Sequence, residues 1–159
     1  KELALIYHLT KYQATSLNAA MELGRRIFSK SQELANLASP SAAAQYLMPR
    51  ISRHEVEHFY VLYLNTKNRL TGYDLIAKGS LTCAVVHPRE VFNAAIINRA
   101  ASIIVAHNHP SGDPRPSVED KELTRSLLAT GMVLGIPVLD HVIIGNNRYY
   151  SFKENGNLS

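Results

Sequence analysis

The stretch that decides the fold class covers residues 102–120 and reads SIIVAHNHPSGDPRPSVED. Its first part, residues 102–106, is a short continuous apolar run, which is typical of a strand buried on both faces. Three prolines and one glycine follow His109 and indicate a stiff, turning loop. Ser117, with an acid three residues later, is a signature of a helix start. The stretch therefore predicts a strand, a loop and a helix in that order.

Two histidines, His107 and His109, stand at the end of the predicted strand. Residues two apart on extended chain point to the same side, so both imidazoles can hold one ion. Asp120 can supply a third ligand and leave a fourth position for water, as in catalytic zinc sites. His-x-His pairs without metal are common, and Ser117 with Asp120 is a capping signal in its own right. The two interpretations are compatible, because the cap would fix the backbone that presents Asp120.

A catalytic zinc site also needs a base that is not a ligand, because a carboxylate must take the proton of the activated water. The candidates outside the loop are Glu55, Glu57 and Glu90. Glu57 lies at the mouth of an aromatic, β-branched segment, residues 58–64, that is predicted to be the first strand. The residues alone barely favour Glu57 over Glu55, and a solvated acid is the alternative for either.

The remaining pattern predicts helices at residues 12–30, 31–37, 42–48, 88–99 and 117–130, the last ended by Gly131 and Gly135. It predicts further strands at residues 70–77, 81–86, 137–144 and 148–152. Strands and helices alternate after a helical N-terminal segment, which indicates an α/β fold. The stretch 29–40 is the candidate domain boundary. Asp140 and His141 are neighbours on a predicted strand, so at most one of them easily faces the site.

Composition narrows the class of protein. The 159 residues are 46% hydrophobic, which allows a substantial core. The single cysteine, Cys83, excludes an internal disulfide and a cysteine-rich zinc site. The net charge of +4 comes from scattered basic residues, so it permits an anionic partner without requiring one. No apolar stretch approaches the roughly 20 residues of a membrane span, and no signal-peptide pattern is present. We therefore expect a cytoplasmic protein with no membrane association.

The spacing His107-x-His109, seven residues, Ser117, two residues, Asp120 resembles the JAMM (MPN+) metalloprotease motif. More narrowly, the chain resembles the bacterial RadC family. The supporting segments are AMELGRR (20–26), VLYLNTKNR (61–69), VHPREVF (86–92), AHNHPSGDP (106–114) and LDHVIIG (139–145). The resemblance implies a cytidine-deaminase-like α/β fold, a mixed sheet flanked by helices, in residues 39–159. It also implies that residues 1–30 are the C-terminal helices of a truncated helix-hairpin-helix-like module.

The resemblance implies Zn²⁺ bound by His107, His109 and Asp120, with zinc-bound water activated by Glu57 as general base. It gives Ser117 the role of hydrogen-bond donor to the developing oxyanion. The implied activity is that of a zinc metallopeptidase-like hydrolase acting on a protein or peptide, which the sequence does not name.

An alternative is a DNA-associated repair or mobile-element module with a structural or vestigial metal site, with DNA reached through the missing upstream module. The stretch near residues 7–10 lacks the glycine turn that faces phosphate in that module, which argues against DNA binding by this fragment. Metal-dependent phosphodiester hydrolysis ranks last, because the loop offers only Asp113 and Asp120 as clustered acids. The oligomeric state is left open.

Overall fold

The computed structural model of the protein describes residues 10–30, 34–79 and 86–158. The chain separates into two compact units, Lys1–Leu34 and Ala35–Ser159. The first contains helix α1 (Lys11–Lys30), within one residue of the predicted start. Thr10 and Gln13 cap it reciprocally, because the backbone N–H of each donates to the side-chain oxygen of the other. The assignment of residues 1–30 to a truncated module and of 39–159 to a RadC-type domain stays a prediction.

The second unit is built from three described helices and five described strands. The helices are α2 (Pro40–Ile51), α3 (Pro88–Ile97) and α4 (Val118–Leu134). The strands are β1 (His58–Leu64), β2 (Leu70–Lys78), β3 (Ser102–Asn108), β4 (Val138–Ile144) and β5 (Tyr149–Ser151). They form one sheet in the order β2-β1-β3-β4-β5. Among these described strands, only β3 and β4 pair in parallel, so the sheet is mixed and the predicted α/β class is confirmed.

The two faces of the sheet carry separate apolar clusters, because side chains alternate along each strand. On one face, α2 packs through Ala44 and Leu47 against Leu62 of β1 and Ile104 of β3. On the other face, α3 and α4 pack against the odd-numbered residues of the same strands. These residues include Phe59, Val61, Tyr63, Ile103 and Val105. The central strand β3 is buried along its whole length, as its continuous apolar run predicts.

One predicted helix is wrong. The stretch 31–37 is expected to be helical, but residues 34–38 are not; residues 31–33 are not described. The backbone N–H of Leu37 donates to the carbonyl of Asn68, and the N–H of Leu70 donates to the carbonyl of Ala35, both at 2.9 Å. These backbone groups pair with residues at or just before the start of β2. They are therefore not available for hydrogen bonds within a helix.

The end of α4 also differs from the prediction. Gly131 does not end the helix but lies inside it, where a Cβ would approach the carbonyl oxygen of Ile136 to 2.6 Å. Gly135 is the C-cap, with a left-handed φ of 69°. The predicted strand at 81–86, with Cys83, falls almost wholly on residues that are not described. In the described parts of the chain, no helix is long and apolar enough to cross a bilayer.

Candidate metal centre

His107 and His109 lie at the carboxyl end of β3, as predicted. The side chain of His107 is fully buried and shares its face of the sheet with Ile103 and Val105. The backbone N–H of His109 donates to the carbonyl of Ile144 at 2.9 Å, so extended chain continues one residue beyond β3. Because alternate residues of extended chain share a side, both imidazoles reach the same point.

The proline-rich loop between β3 and α4 is held against the turn that follows β4. Gly112 has a left-handed φ of 80°, and its carbonyl accepts the backbone N–H of Asn146 at 2.9 Å. Gly145 permits this close approach, because a Cβ at position 145 would collide with that carbonyl and lie 2.8 Å from Pro114. The loop therefore has a fixed path from His109 back to α4.

Asp120 is oriented by the capping box at the start of α4. The Ser117 hydroxyl oxygen accepts the Asp120 backbone N–H at 3.0 Å, and Oδ2 of Asp120 accepts the Ser117 backbone N–H at 2.7 Å. The Ser117 hydroxyl also donates to Oδ2 at 2.8 Å. Asp120 can be both a helix-capping residue and a candidate metal ligand, because the cap that starts the helix also directs the carboxylate toward the histidines.

The three predicted ligands converge. Nε2 of His107 lies 3.0 Å from Nε2 of His109 and 3.2 Å from Oδ1 of Asp120. Nε2 of His109 lies 3.4 Å from Oδ2 of Asp120. One ligand atom from each residue lies within 4.8 Å of the others, so the cluster could hold a metal ion.

The hydrogen bond of the far ring nitrogen decides which tautomer a neutral His109 adopts. Nδ1 of His109 lies 2.8 Å from the carbonyl oxygen of Asp113. A carbonyl can only accept, so Nδ1 carries the proton and Nε2 of the neutral ring presents a lone pair to the cluster.

The same reasoning applies to His107 through two further side chains. The Thr124 hydroxyl donates to the Asp120 carbonyl at 2.6 Å, so it must accept from Nδ1–H of His141, also at 2.6 Å. Nε2 of His141 then accepts the proton on Nδ1 of His107 at 2.9 Å. Nε2 of His107 is therefore also a lone pair that faces the cluster. Burial, and then the nearby His107, hold the pKa of His141 well below its ordinary value, which keeps His141 neutral.

This donor set fits a cation. Two imidazole lone pairs 3.0 Å apart repel each other and a nearby carboxylate, whereas one shared positive charge satisfies all three groups. Burial alone would lower the pKa of His109, but Asp120 and the Asp113 carbonyl raise it. Burial alone would raise the pKa of Asp120, yet the two histidines hold it well below its usual range. Two imidazoles and one carboxylate are ligands that suit zinc.

Glu57 is the one of the three candidate bases that reaches the cluster. Its Oε1 lies 3.9 Å from Nε2 of His107, and its side chain is 33% exposed. Among the described residues, neither Glu55 nor Glu90 forms an ion pair with either histidine of the cluster. Glu57 is thus placed beside the ligands while it remains open to water.

Asn108, between the two histidines, fixes the segment that carries Glu57. Its side chain points to the opposite face of β3, where Oδ1 accepts the backbone N–H of His58 at 2.9 Å. Its Nδ2 donates to the carbonyls of His54 and Val56, at 3.2 and 3.1 Å. Sequence reasoning missed this residue, although its place between two ligands on a strand was a usable signal.

His141 faces the cluster and Asp140 faces away, which agrees with the expectation that at most one of them does so. Asp140 accepts the Ser151 hydroxyl at 2.7 Å and the Lys153 backbone N–H at 3.0 Å. The ring of His141 stacks on Phe152 with centroids 4.9 Å apart. No sequence pattern points to Thr124, because its role depends on how α4 packs on β4.

A mixed sheet with helices on both faces, whose central strand ends in two histidines opposite a helix-capping aspartate, defines a domain of the JAB class. The RadC-like JAB domain family matches residues 37–157, and the chain belongs to this family. It is 47% identical to proteins named "UPF0758 protein" from Bacillus cereus (strain 03BB102) and Bacillus anthracis (strain A0248). Each alignment covers 99% of this chain and 71% of the relative.

Proposed function

We propose that the chain is a zinc-dependent hydrolase that cleaves amide bonds in a protein or peptide, by peptidase or isopeptidase chemistry. The observation that supports this most is the convergence of two Nε2 atoms and one carboxylate, with a second carboxylate 3.9 Å away. The ligands would be His107, His109 and Asp120, and Glu57 would be the base. Membership in a JAB-type family supports the same class of chemistry.

A bound zinc ion would supply a Lewis acid that polarises a carbonyl and lowers the pKa of water. Glu57 is close enough to His107 to accept a proton at the site, and its partial exposure lets it pass that proton on. The Asp113 carbonyl and the chain from Asp120 through Thr124 to His141 hold both neutral rings in the tautomer that carries its proton on Nδ1 and leaves the Nε2 lone pair for a metal ion. These residues prepare the ligands before substrate arrives.

Ser117 has a second task in this proposal. Its hydroxyl donates to Oδ2 of Asp120, which also accepts the Ser117 backbone N–H. The backbone bond keeps the carboxylate in place if the hydroxyl turns to donate to a substrate oxygen. Such a donor stabilises charge that develops only in the transition state.

Metal analysis tests the ligand set first. Zinc measured by mass spectrometry should be present in the parent protein and absent from His107→Ala and Asp120→Ala. His87→Ala is the control, because His87 is an exposed N-cap residue with no capping hydrogen bond. Equal zinc in all four proteins would refute the ligand assignment.

Hydrolysis is tested on a broad mixture of natural peptides, with new amino termini identified by mass spectrometry. The zinc-loaded parent should generate them, whereas Glu57→Gln should keep zinc and lose cleavage. Glu55→Gln is the matched control, since the same change lies two residues away from the base. Full cleavage by Glu57→Gln would remove Glu57 as base, and no cleavage by the zinc-loaded parent would count against peptidase activity.

A further inference from the structure

A basic pocket of about 530 Å³ lies beside the first turns of α4. The lining residues are Arg115, Pro116, Lys121, Arg125, Tyr150, Phe152, Gly156 and Asn157. Three of them are cations and none is an acid. The pocket thus concentrates positive charge in a molecule whose basic residues are otherwise scattered.

Two of these cations have no acidic partner. Lys121 and Arg125 form no ion pair with any residue in the described ranges, while Arg115 pairs with Asp113 at 2.6 Å. Lys121 and Arg125 are four residues apart on α4, and like charges at this spacing destabilise a helix. Lys121, in the first turn of α4, also lies near the positive end of the helix dipole, and Nε of Arg125 donates to the Lys121 carbonyl at 3.3 Å. An anion in the pocket would offset both costs.

The pocket also offers a neutral donor. Nδ2 of Asn157 donates to the hydroxyl oxygen of Tyr150 at 2.6 Å. Because that oxygen accepts from Asn157, the Tyr150 proton is available to another acceptor. A carboxylate with two oxygens could therefore meet cationic and neutral donors together.

The lining residues alternate with residues of the candidate metal centre. Pro116 precedes Ser117, and Lys121 follows Asp120. Phe152 stacks on His141, whose ring contacts His107. The pocket and the candidate metal centre therefore share the start of α4, and the ring of His141 connects Phe152 of the pocket to His107.

We propose that this pocket binds an acidic side chain or terminal carboxylate of the peptide substrate, next to the bond that is cleaved. The identity of the ligand as a peptide rests on the function proposed above. A single pocket of this size with three cations favours this ligand over a nucleic acid, whose backbone is normally bound by a row of phosphate contacts along a groove. Arginine and lysine together suit a carboxylate, through forked and single hydrogen bonds.

Binding without turnover tests the proposal, so the Glu57→Gln variant of the full chain is used. Two peptides blocked at both ends, acetyl-Ala-Glu-Glu-Ala-amide and its Gln-Gln counterpart, are titrated and followed by NMR. The acidic peptide should shift the signals of Lys121, Arg125 and Asn157. It should bind about tenfold or more tightly than the neutral one, because hydrogen bonds to charged groups are the stronger ones.

Charge reversal supplies the variants. Lys121→Glu and Arg125→Glu, each made in that background, should remove the preference for the acidic peptide. Lys67→Glu is the control, an equal change of charge at an exposed turn between β1 and β2. Equal binding of the two peptides, or an unchanged preference after both reversals, would overturn the proposal. Tighter binding of a single-stranded oligonucleotide that displaces the acidic peptide would assign the pocket to nucleic acid instead. Selective peptide binding with no cleavage by the parent would leave the pocket assigned and refute the hydrolase.

Discussion

Replacing Thr124 by valine should weaken zinc binding although Thr124 is not a ligand. Valine keeps the shape of the buried side chain but removes the hydroxyl that lies 2.6 Å from Nδ1 of His141. His141 then has no acceptor for its Nδ1 proton and favours the tautomer with the proton on Nε2. That proton faces Nδ1 of His107, so the proton of His107 must move to Nε2, where the metal would bind.

The expected loss of zinc affinity follows from the free energy needed to return both histidines to the tautomer that binds metal. Leaving a buried donor without an acceptor costs about 1–3 kcal/mol, which is also the expected loss of unfolding free energy in the metal-free protein. Metal binding requires His107 to present its lone pair, so zinc binding must restore the unfavourable tautomer. Outer partners of metal ligands typically change metal affinity by about 10–100-fold when removed, and we expect a loss in this range for Thr124→Val.

The assay is competition for zinc against a chromophoric chelator, with imidazole tautomers read from long-range proton–nitrogen NMR correlations. Thr130→Val is the matched control, because the Thr130 hydroxyl donates to the Ser126 carbonyl at 2.8 Å, one helical turn back, as Thr124 does to Asp120. Within the described residues, the Thr130 side chain forms no hydrogen bond with a histidine. If Thr124→Val bound zinc within about twofold of Thr130→Val, the proton arrangement inferred for His107 would be wrong.

Three further outcomes are expected. Asn108→Ala should speed amide hydrogen exchange in residues 54–58, because the lost contacts hold the segment that carries Glu57. It should lower the rate of hydrolysis more than it lowers the zinc content. Unchanged exchange would contradict this. Ser117→Ala should lower the unfolding free energy by about 1 kcal/mol through loss of the cap, measured by urea denaturation. It should also lower hydrolysis at full zinc loading, and unchanged hydrolysis would exclude the donor role. Gly145→Ala should lower the thermal midpoint, because the new Cβ collides with the Gly112 carbonyl; an unchanged midpoint would show that the loop yields without cost.

The ligands could be predicted from the sequence because their geometry is local. Two histidines on extended chain share a side wherever the strand lies, and a capping box fixes its acid within one helical turn. Glu57 is different, because its approach to His107 depends on the antiparallel pairing of β1 with β3. Spacing alone could not separate Glu57 from Glu55, and the family resemblance made that choice.

The residues that hydrogen-bond to the metal ligands, such as His141, are set by how β3 pairs with a strand distant in sequence. The parallel pairing of β3 with β4 shifts between Ile103 and Ile104, so that Val105 lies opposite His141. A sequence pattern shows that Asp140 and His141 face opposite sides, but only this register shows which one faces the histidines. The wrong helix at 31–37 has the same cause, since its hydrogen-bond partners are found at Asn68 and Leu70.

The register of β3 sets the ligands and the base together. His107 and His109 use one side of the extended chain, and Asn108 between them uses the other side to hold the segment of Glu57. A slip of β3 by one residue would exchange the faces, which would bring Asn108 to the cluster and carry both histidines away from Asp120. Such a slip would also bury polar imidazoles against the apolar residues of α2, which is costly unless they find new partners. Because β3 is apolar on both faces, its apolar residues alone would tolerate such a slip. The polar residues at its end select the register, since His107 and Asn108 keep their hydrogen-bond partners in one register only.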